Sequence, residues 1–245
     1  MHPIICQIGP ITIYSYGVMF ALACLICLYL LLKEAKKEGI DLNLIYDLFF
    51  WIIICAILGA RLLYILTNLK FFLSNPSEIF KLHHGGLSWF GGLAFGFLAV
   101  VIITKNRHIA FLRIADIFAP FLALGQAIGR IGCFLNGCCY GKPTQSIFGI
   151  HFPGFLKPLH PTQLYSFLSL FLIFIVLILY KRKAKPAQGK VFFLYLMLCG
   201  LERFISEFFR GDTIITPVFN LTLFQVFSLT LILSAGFLYY ILRKR

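Results

Sequence analysis

Long apolar stretches alternate along the chain with short polar ones. Seven can be drawn, at about 14–32, 45–66, 87–104, 111–132, 162–180, 191–209 and 221–242. Each is close to the roughly 17 to 25 residues a helix needs to cross a hydrocarbon layer. The pattern predicts an all-α, polytopic membrane protein with seven transmembrane helices in a single integral membrane domain, residues 1–245. Two connections, 67–82 and 133–160, exceed what a helix turn requires, and loops beyond about 12 to 15 residues usually carry a task. In the first, Phe71, Phe72, Leu73, Ile79 and Phe80 stand between Lys70 and Lys81, which predicts an amphipathic segment lying in the interface. The sequence shows no repeat, low-complexity tract or second domain.

Charge orients the helices. KEAKKEG at 33–39, Lys105 with Arg107 and Arg113, KRKAKPAQGK at 181–190, and Arg243, Lys244 and Arg245 all follow odd-numbered runs and hold most of the 22 Lys and Arg. Basic loops stay cytoplasmic, so the N-terminus is expected outside, the C-terminus inside, and both long connections on the outer side. No Lys precedes Lys33, so a cleaved signal peptide is not expected.

The fourth and sixth runs are impure, holding Asp116 and Arg130, and Glu202, Arg203 and Glu207. At 1.5 Å per residue Arg130 lies about 25 Å beyond Arg113, and Glu207 roughly as far beyond Val191, near the outer edge of a layer of about 30 Å. An arginine at the bilayer centre costs about 2.5 to 3.5 kcal/mol unless it faces protein, water or an anion. The stretch GQAIGRIGCFLNGCCYGKPT therefore calls for a partner to Arg130. Glycines around it permit close approach of backbone or ligand.

Composition agrees with a membrane protein: 60% hydrophobic, 13% charged, mean hydropathy +0.90. The net charge of +13 would suggest nucleic acid in a soluble chain, but its location in short loops reads as topology and as contact with anionic membrane lipids, with no nucleic acid partner.

Arg130 and Arg203 could together hold a phosphate, because guanidinium groups stay charged and offer paired donors to its oxygens. Glu207, four residues from Arg203, could orient it; the alternative is an ion pair that only neutralises the bundle. His84 and His160 could accept a proton near neutral pH or simply bond backbone at a helix entrance. The glycine pairs 85–86 and 91–92 allow either a headgroup or a packed helix to approach. Cys133, Cys138 and Cys139 face the oxidising side, which keeps a membrane thiol oxidoreductase in view. Their C-x4-C-C spacing is not a usual zinc pattern, so no metal and no cofactor is expected.

The chain resembles the bacterial prolipoprotein diacylglyceryl transferases through IGPITIYSYGVMFAL, LGARLLY, HGGLSWFGG, LGQAIGRIGCFLNGCCYG, HPTQLY and RFISEFFRGD, in that order from near its first residue to near its last. The resemblance implies a seven-helix enzyme of the bacterial plasma (inner) membrane with a cleft open to the outer leaflet. It would move the diacylglyceryl group of phosphatidylglycerol onto the lipobox cysteine of a preprolipoprotein, the first step of lipoprotein maturation. It further implies that Arg130 binds the phosphate and that Arg203 stabilises charge as the carbon–oxygen bond breaks. Tyr16, Asn136, Gly141, His160 and Glu207 match positions near the cleft, and His84, Gly85 and Gly86 join them as substrate-binding candidates. Departures fall on the proton-transfer side: Phe90 stands where many members have His, Cys133 and Cys138 replace Asn and Glu, and Ser166 replaces Glu. That leaves His84, Glu207 or solvent to take the thiol proton. An anionic-phospholipid carrier using the same arginines is the alternative of another class.

Overall fold

The structure, a computed structural model, describes residues 1–9, 11–81, 85–211 and 221–244. A β-hairpin opens the chain, β1 (Ile4–Ile8) paired antiparallel with β2 (Ile11–Tyr14). Eight α-helices follow: α1 (Ser15–Lys37), α2 (Leu42–Thr67), α3 (Leu69–Ser74), α4 (Trp89–Asn106), α5 (Phe111–Asn136), α6 (Thr162–Ala184), α7 (Lys190–Phe209) and α8 (Leu223–Lys244), with a 3-10 turn at Pro76–Phe80. The architecture is helical as expected, with the hairpin added. Among the described residues six helices, α1, α2, α4, α5, α6 and α8, are long and apolar enough to cross a membrane. The seventh expected span, α7, has the length, but Glu202, Arg203 and Glu207 break its apolar surface.

Large apolar side chains point outward: Leu25 is 67% exposed, Leu58 63%, Phe237 65% and Leu233 71%. A surface this apolar suits lipid, where helices gain nothing from burying leucine against one another and associate through close packing instead. Small residues sit where helices meet.

Two compact units divide the chain. In Leu32–Ile114, α2 packs on α4. A Cβ on Gly91 would stand 2.2 Å from the Gly59 carbonyl oxygen, so the two backbones nearly touch there. Arg61, buried in α2, donates to the carbonyls of Ile79, Gly85 and Gly86 at 3.2, 2.7 and 3.1 Å, and also to that of Glu78. Its guanidinium lies over Phe72, 5.2 Å from the ring centroid. One arginine thus gathers the connection between α3 and α4. α3 itself buries Phe72 and exposes the apolar Leu69, Phe71 and Leu73.

The second unit is Met1–Leu31 with Ala115–Arg245. Ala119, Ala123 and Ala127 form a stripe at helical spacing on α5, and against it pack Leu170, Ile173 and Leu177 of α6 and Val191 and Tyr195 of α7. Alanine keeps α6 and α7 close to α5. α7 also packs on α8.

Candidate functional site

Two contacts set the register of α5 against α7. Asp116 accepts from the backbone N–H of Gly189 at 2.5 Å and of Phe192 at 2.8 Å, holding the N-terminus of α7, where four N–H groups lack helical partners. Ten residues further along each chain segment, the Cys199 thiol meets Gln126 Oε1 at 3.8 Å, while Gln126 Nε2 donates to the Tyr195 hydroxyl at 3.0 Å. Asp116 to Gly189 and Gln126 to Cys199 are each 73 residues apart, so the helices run parallel in constant register. Arg130 and Arg203 have that same separation, one turn beyond Gln126 and Cys199. The register brings them together: Arg203 lies within electrostatic reach of Arg130, Arg210, Glu207 and Glu202.

Arg203 is held by two contacts. Its Nη2 stands 2.8 Å from Glu207 Oε2, one turn along α7, and its guanidinium covers the Phe224 ring of α8 at 4.4 Å. Glu207, 2% exposed, is further held by Thr222, whose hydroxyl donates to Oε1 at 3.0 Å, and by Arg210 Nε at 4.0 Å from Oε2. Oε1 therefore accepts a hydrogen bond, while Oε2 faces Arg203 and Arg210 by charge without a hydrogen bond. Arg130 is half-buried and, among the described residues, forms no ion pair, so its charge is available to an anion.

The connection after α5 is tied to the same place. Gly141 N–H donates to the His160 carbonyl at 2.9 Å and Lys142 N–H to that of Phe209 at 2.8 Å, and Gly141 bridges to Arg210. A Cβ on Gly141 would lie 2.6 Å from His160 Cβ and 2.7 Å from the Phe209 carbonyl oxygen, so glycine is required by close approach. His160 Nδ1 is 3.2 Å from the Tyr165 hydroxyl, and its ring meets Phe209 edge-on at 5.5 Å. Tyr16, at the start of α1, lies within electrostatic reach of Arg130, Cys133, Cys138 and Cys139. Gly132 lets it come so near: a Cβ there would sit 3.2 Å from the Tyr16 ring. Asn136 closes α5. In the loop beyond, the Cys139 thiol is held well below its ordinary pKa, first by its neighbours Cys133 and Cys138, then by Arg210 and Arg130.

One unit therefore contains Arg130, Arg203, Glu207, Tyr16, Asn136, Gly141 and His160. Gly85 and Gly86 lie in the other, in left-handed conformations with φ of +80° and +74°. A Cβ on Gly86 would strike Tyr64 and Arg61, whereas one on Gly85 would meet nothing within 4 Å. His84 falls outside the described residues. Sequence spacing already put Arg210 on one helix face with Arg203 and Glu207, but sequence reasoning gave no role to Arg61. The rule that singled out Arg130, a cation in an apolar run, would also have found Arg61 in the second run.

The profile of the family described as prolipoprotein diacylglyceryl transferase matches residues 3–241. A protein of Clostridium tetani, named phosphatidylglycerol–prolipoprotein diacylglyceryl transferase, is 40% identical over 218 residues, 86% of this chain and 86% of its own. Relatives with the same name in Listeria innocua and Bacillus licheniformis are 37% and 34% identical, covering 98% and 96% of this chain and 90% of each relative.

Proposed function

Because the chain belongs to the prolipoprotein diacylglyceryl transferase family, we propose that the arginine cluster on α5 and α7 binds the phosphate of phosphatidylglycerol and drives transfer of its diacylglyceryl group to a lipobox cysteine. The lipobox thiol gives up its proton, its sulfur bonds to the glycerol carbon, and the bond from that carbon to the phosphate oxygen breaks. The products are a thioether and glycerol phosphate. The leaving phosphate gathers negative charge, so fixed guanidinium groups stabilise the transition state more than the ground state.

In this reading Arg130 grips the lipid phosphate and Arg203, braced by Glu207 and Phe224, meets the charge on the departing oxygen. Glu207 acts as a positioning residue, since Oε1 accepts from Thr222 and Oε2 is paired to the Arg203 it braces. The thiol proton passes to His84 or to solvent, a thiol pKa of about 8.5 requiring little help. Tyr16, Asn136, Gly141 and His160 shape the rim around the headgroup, and Gly85 and Gly86 keep the substrate-binding role that the resemblance implies for them. All seven long helices span the bacterial plasma membrane, with the N-terminus outside, the C-terminus cytoplasmic and the cluster facing the outer leaflet. The charges of α7 are tolerated because they turn toward this cluster rather than toward lipid.

The observation that carries the proposal is Arg130, without an ion-pair partner among the described residues, in register with an arginine that is already held by a carboxylate. Its test is rescue of a bacterial cell depleted of its own transferase. Wild type is expected to restore growth, and Arg130→Ala to fail while reaching the membrane at normal abundance. Purified protein with labelled phosphatidylglycerol and a lipobox peptide then separates the enzyme from a lipid carrier. A thioether-linked product supports transfer, whereas lipid movement between leaflets without product overturns it.

A further inference from the structure

The three cysteines at and beyond the end of α5 are unused by the transfer reaction, and their arrangement has a chemistry of its own. The sulfur atoms of Cys133, Cys138 and Cys139 all lie within 4.8 Å of one another. Ligands about 2.3 Å from a common ion would stand about 4 Å apart, so the sulfurs need only a small adjustment to share one. Adjacent cysteines rarely face the same point, because successive side chains of an extended chain point apart. Here Cys139 takes a φ of +61°, a conformation that costs a non-glycine residue roughly 1 to 3 kcal/mol, and the turn it makes accompanies the convergence of all three sulfurs.

The surrounding structure holds that turn in place. Thr162 Oγ1 donates to the Cys139 carbonyl at 2.7 Å, Gln163 Nε2 to the Cys138 carbonyl at 2.6 Å, and Cys138 N–H to the Cys133 carbonyl at 3.1 Å. Thr162 and Gln163 are both buried. Bound as thiolates, the three sulfurs would leave a net negative charge on a monovalent or divalent ion, which Arg130 and Arg210 are near enough to offset.

We propose that Cys133, Cys138 and Cys139 form a binding site for one thiophilic cation, Zn(II) or Cu(I). Thiolates select these soft ions over magnesium or calcium. Three sulfurs complete a trigonal Cu(I) site, or leave Zn(II) an open fourth position for water. The inference does not depend on the phospholipid reading. It departs from the expectation set by the C-x4-C-C spacing because the left-handed turn, absent from any spacing rule, supplies the convergence.

The test uses the full chain in lipid nanodiscs, reduced with a phosphine that is then removed, and titrated with Cd(II) as a spectroscopic probe. The expected result is one saturable equivalent giving a thiolate-to-metal charge-transfer band, absent from C133S/C138S/C139S and unchanged in C6S/C55S. Cys139→Ser alone should weaken binding at least about tenfold, a loss that altering the groups behind metal ligands already produces. Displacement by Zn(II) or by Cu(I) identifies which of the two the site prefers, and displacement by neither overturns the proposal. A wild-type titration identical to that of the triple variant also overturns it, as does a disulfide among the three in protein isolated without oxidant.

Discussion

At the scale of single residues, Glu207 has the sharpest stability signature. Breaking a buried ion pair by removing one partner costs about 3 to 5 kcal/mol, and the partial exposure of Arg203 places Glu207→Gln near the lower end of that range. The expected outcome is a clearly lower unfolding midpoint in detergent micelles; an unmoved midpoint would show that the pair bears little stability. The sequence offered Arg130, Arg203 and Glu207 through one physical rule, that charge inside an apolar run must find a partner. The spacing of Arg203, Glu207 and Arg210 also put all three on one helix face. It could not say that Thr222 holds Glu207 as well, because that contact is made through space by a residue that looks ordinary in the chain. Arg61 was legible by the same rule and passed over, although it and Asp47 both interrupt the second run.

At the scale of elements, the helices were visible in their hydropathy, and their bounds follow the apolar runs to within a few residues. Lysine-rich ends such as that of α1 stay helical beyond the apolar run, because long cationic side chains suit a helix C-terminus. The N-terminal hairpin was missed: its two short apolar stretches around Gly9 merge into the run that opens α1. The loop between α5 and α6 rests on Gly141, where any side chain would collide with His160 and the Phe209 backbone. Gly141→Ala is expected to cost about 1 to 3 kcal/mol, the range for overpacking. Gly129→Ala, with nothing within 4 Å of the new Cβ, should be neutral or stabilising by about 0.4 to 1 kcal/mol. Thermal unfolding of the two side by side checks the contrast. Arg61→Lys keeps the charge but loses the fork of donors, so amide exchange at residues 78–81 should quicken while α2 and α4 remain protected.

At the scale of the whole molecule, the proposed topology makes a direct prediction. In a background with Cys6 replaced, an impermeant maleimide applied to intact cells should label Leu156→Cys, 99% exposed in the loop after α5, but label Lys185→Cys only after permeabilisation. The reverse pattern would refute the assigned orientation. Hydropathy by itself determined the membrane class and the approximate bounds of the long helices, because transfer of apolar side chains into lipid depends on composition and length and hardly on neighbours; it did not show α3 or the N-terminal hairpin, and α7 is too charged to pass as a span by its composition. Motif order along the chain likewise reached the family. Sequence reasoning set Arg130 and Arg203 at one depth, but only tertiary structure brought them within electrostatic reach of one another and made three cysteines converge. The first depends on the register of two parallel helices set by Asp116 and Gln126, and the second on one left-handed turn. Both are distances between segments remote in the chain, fixed by packing and hydrogen bonds that a linear string of residues does not contain.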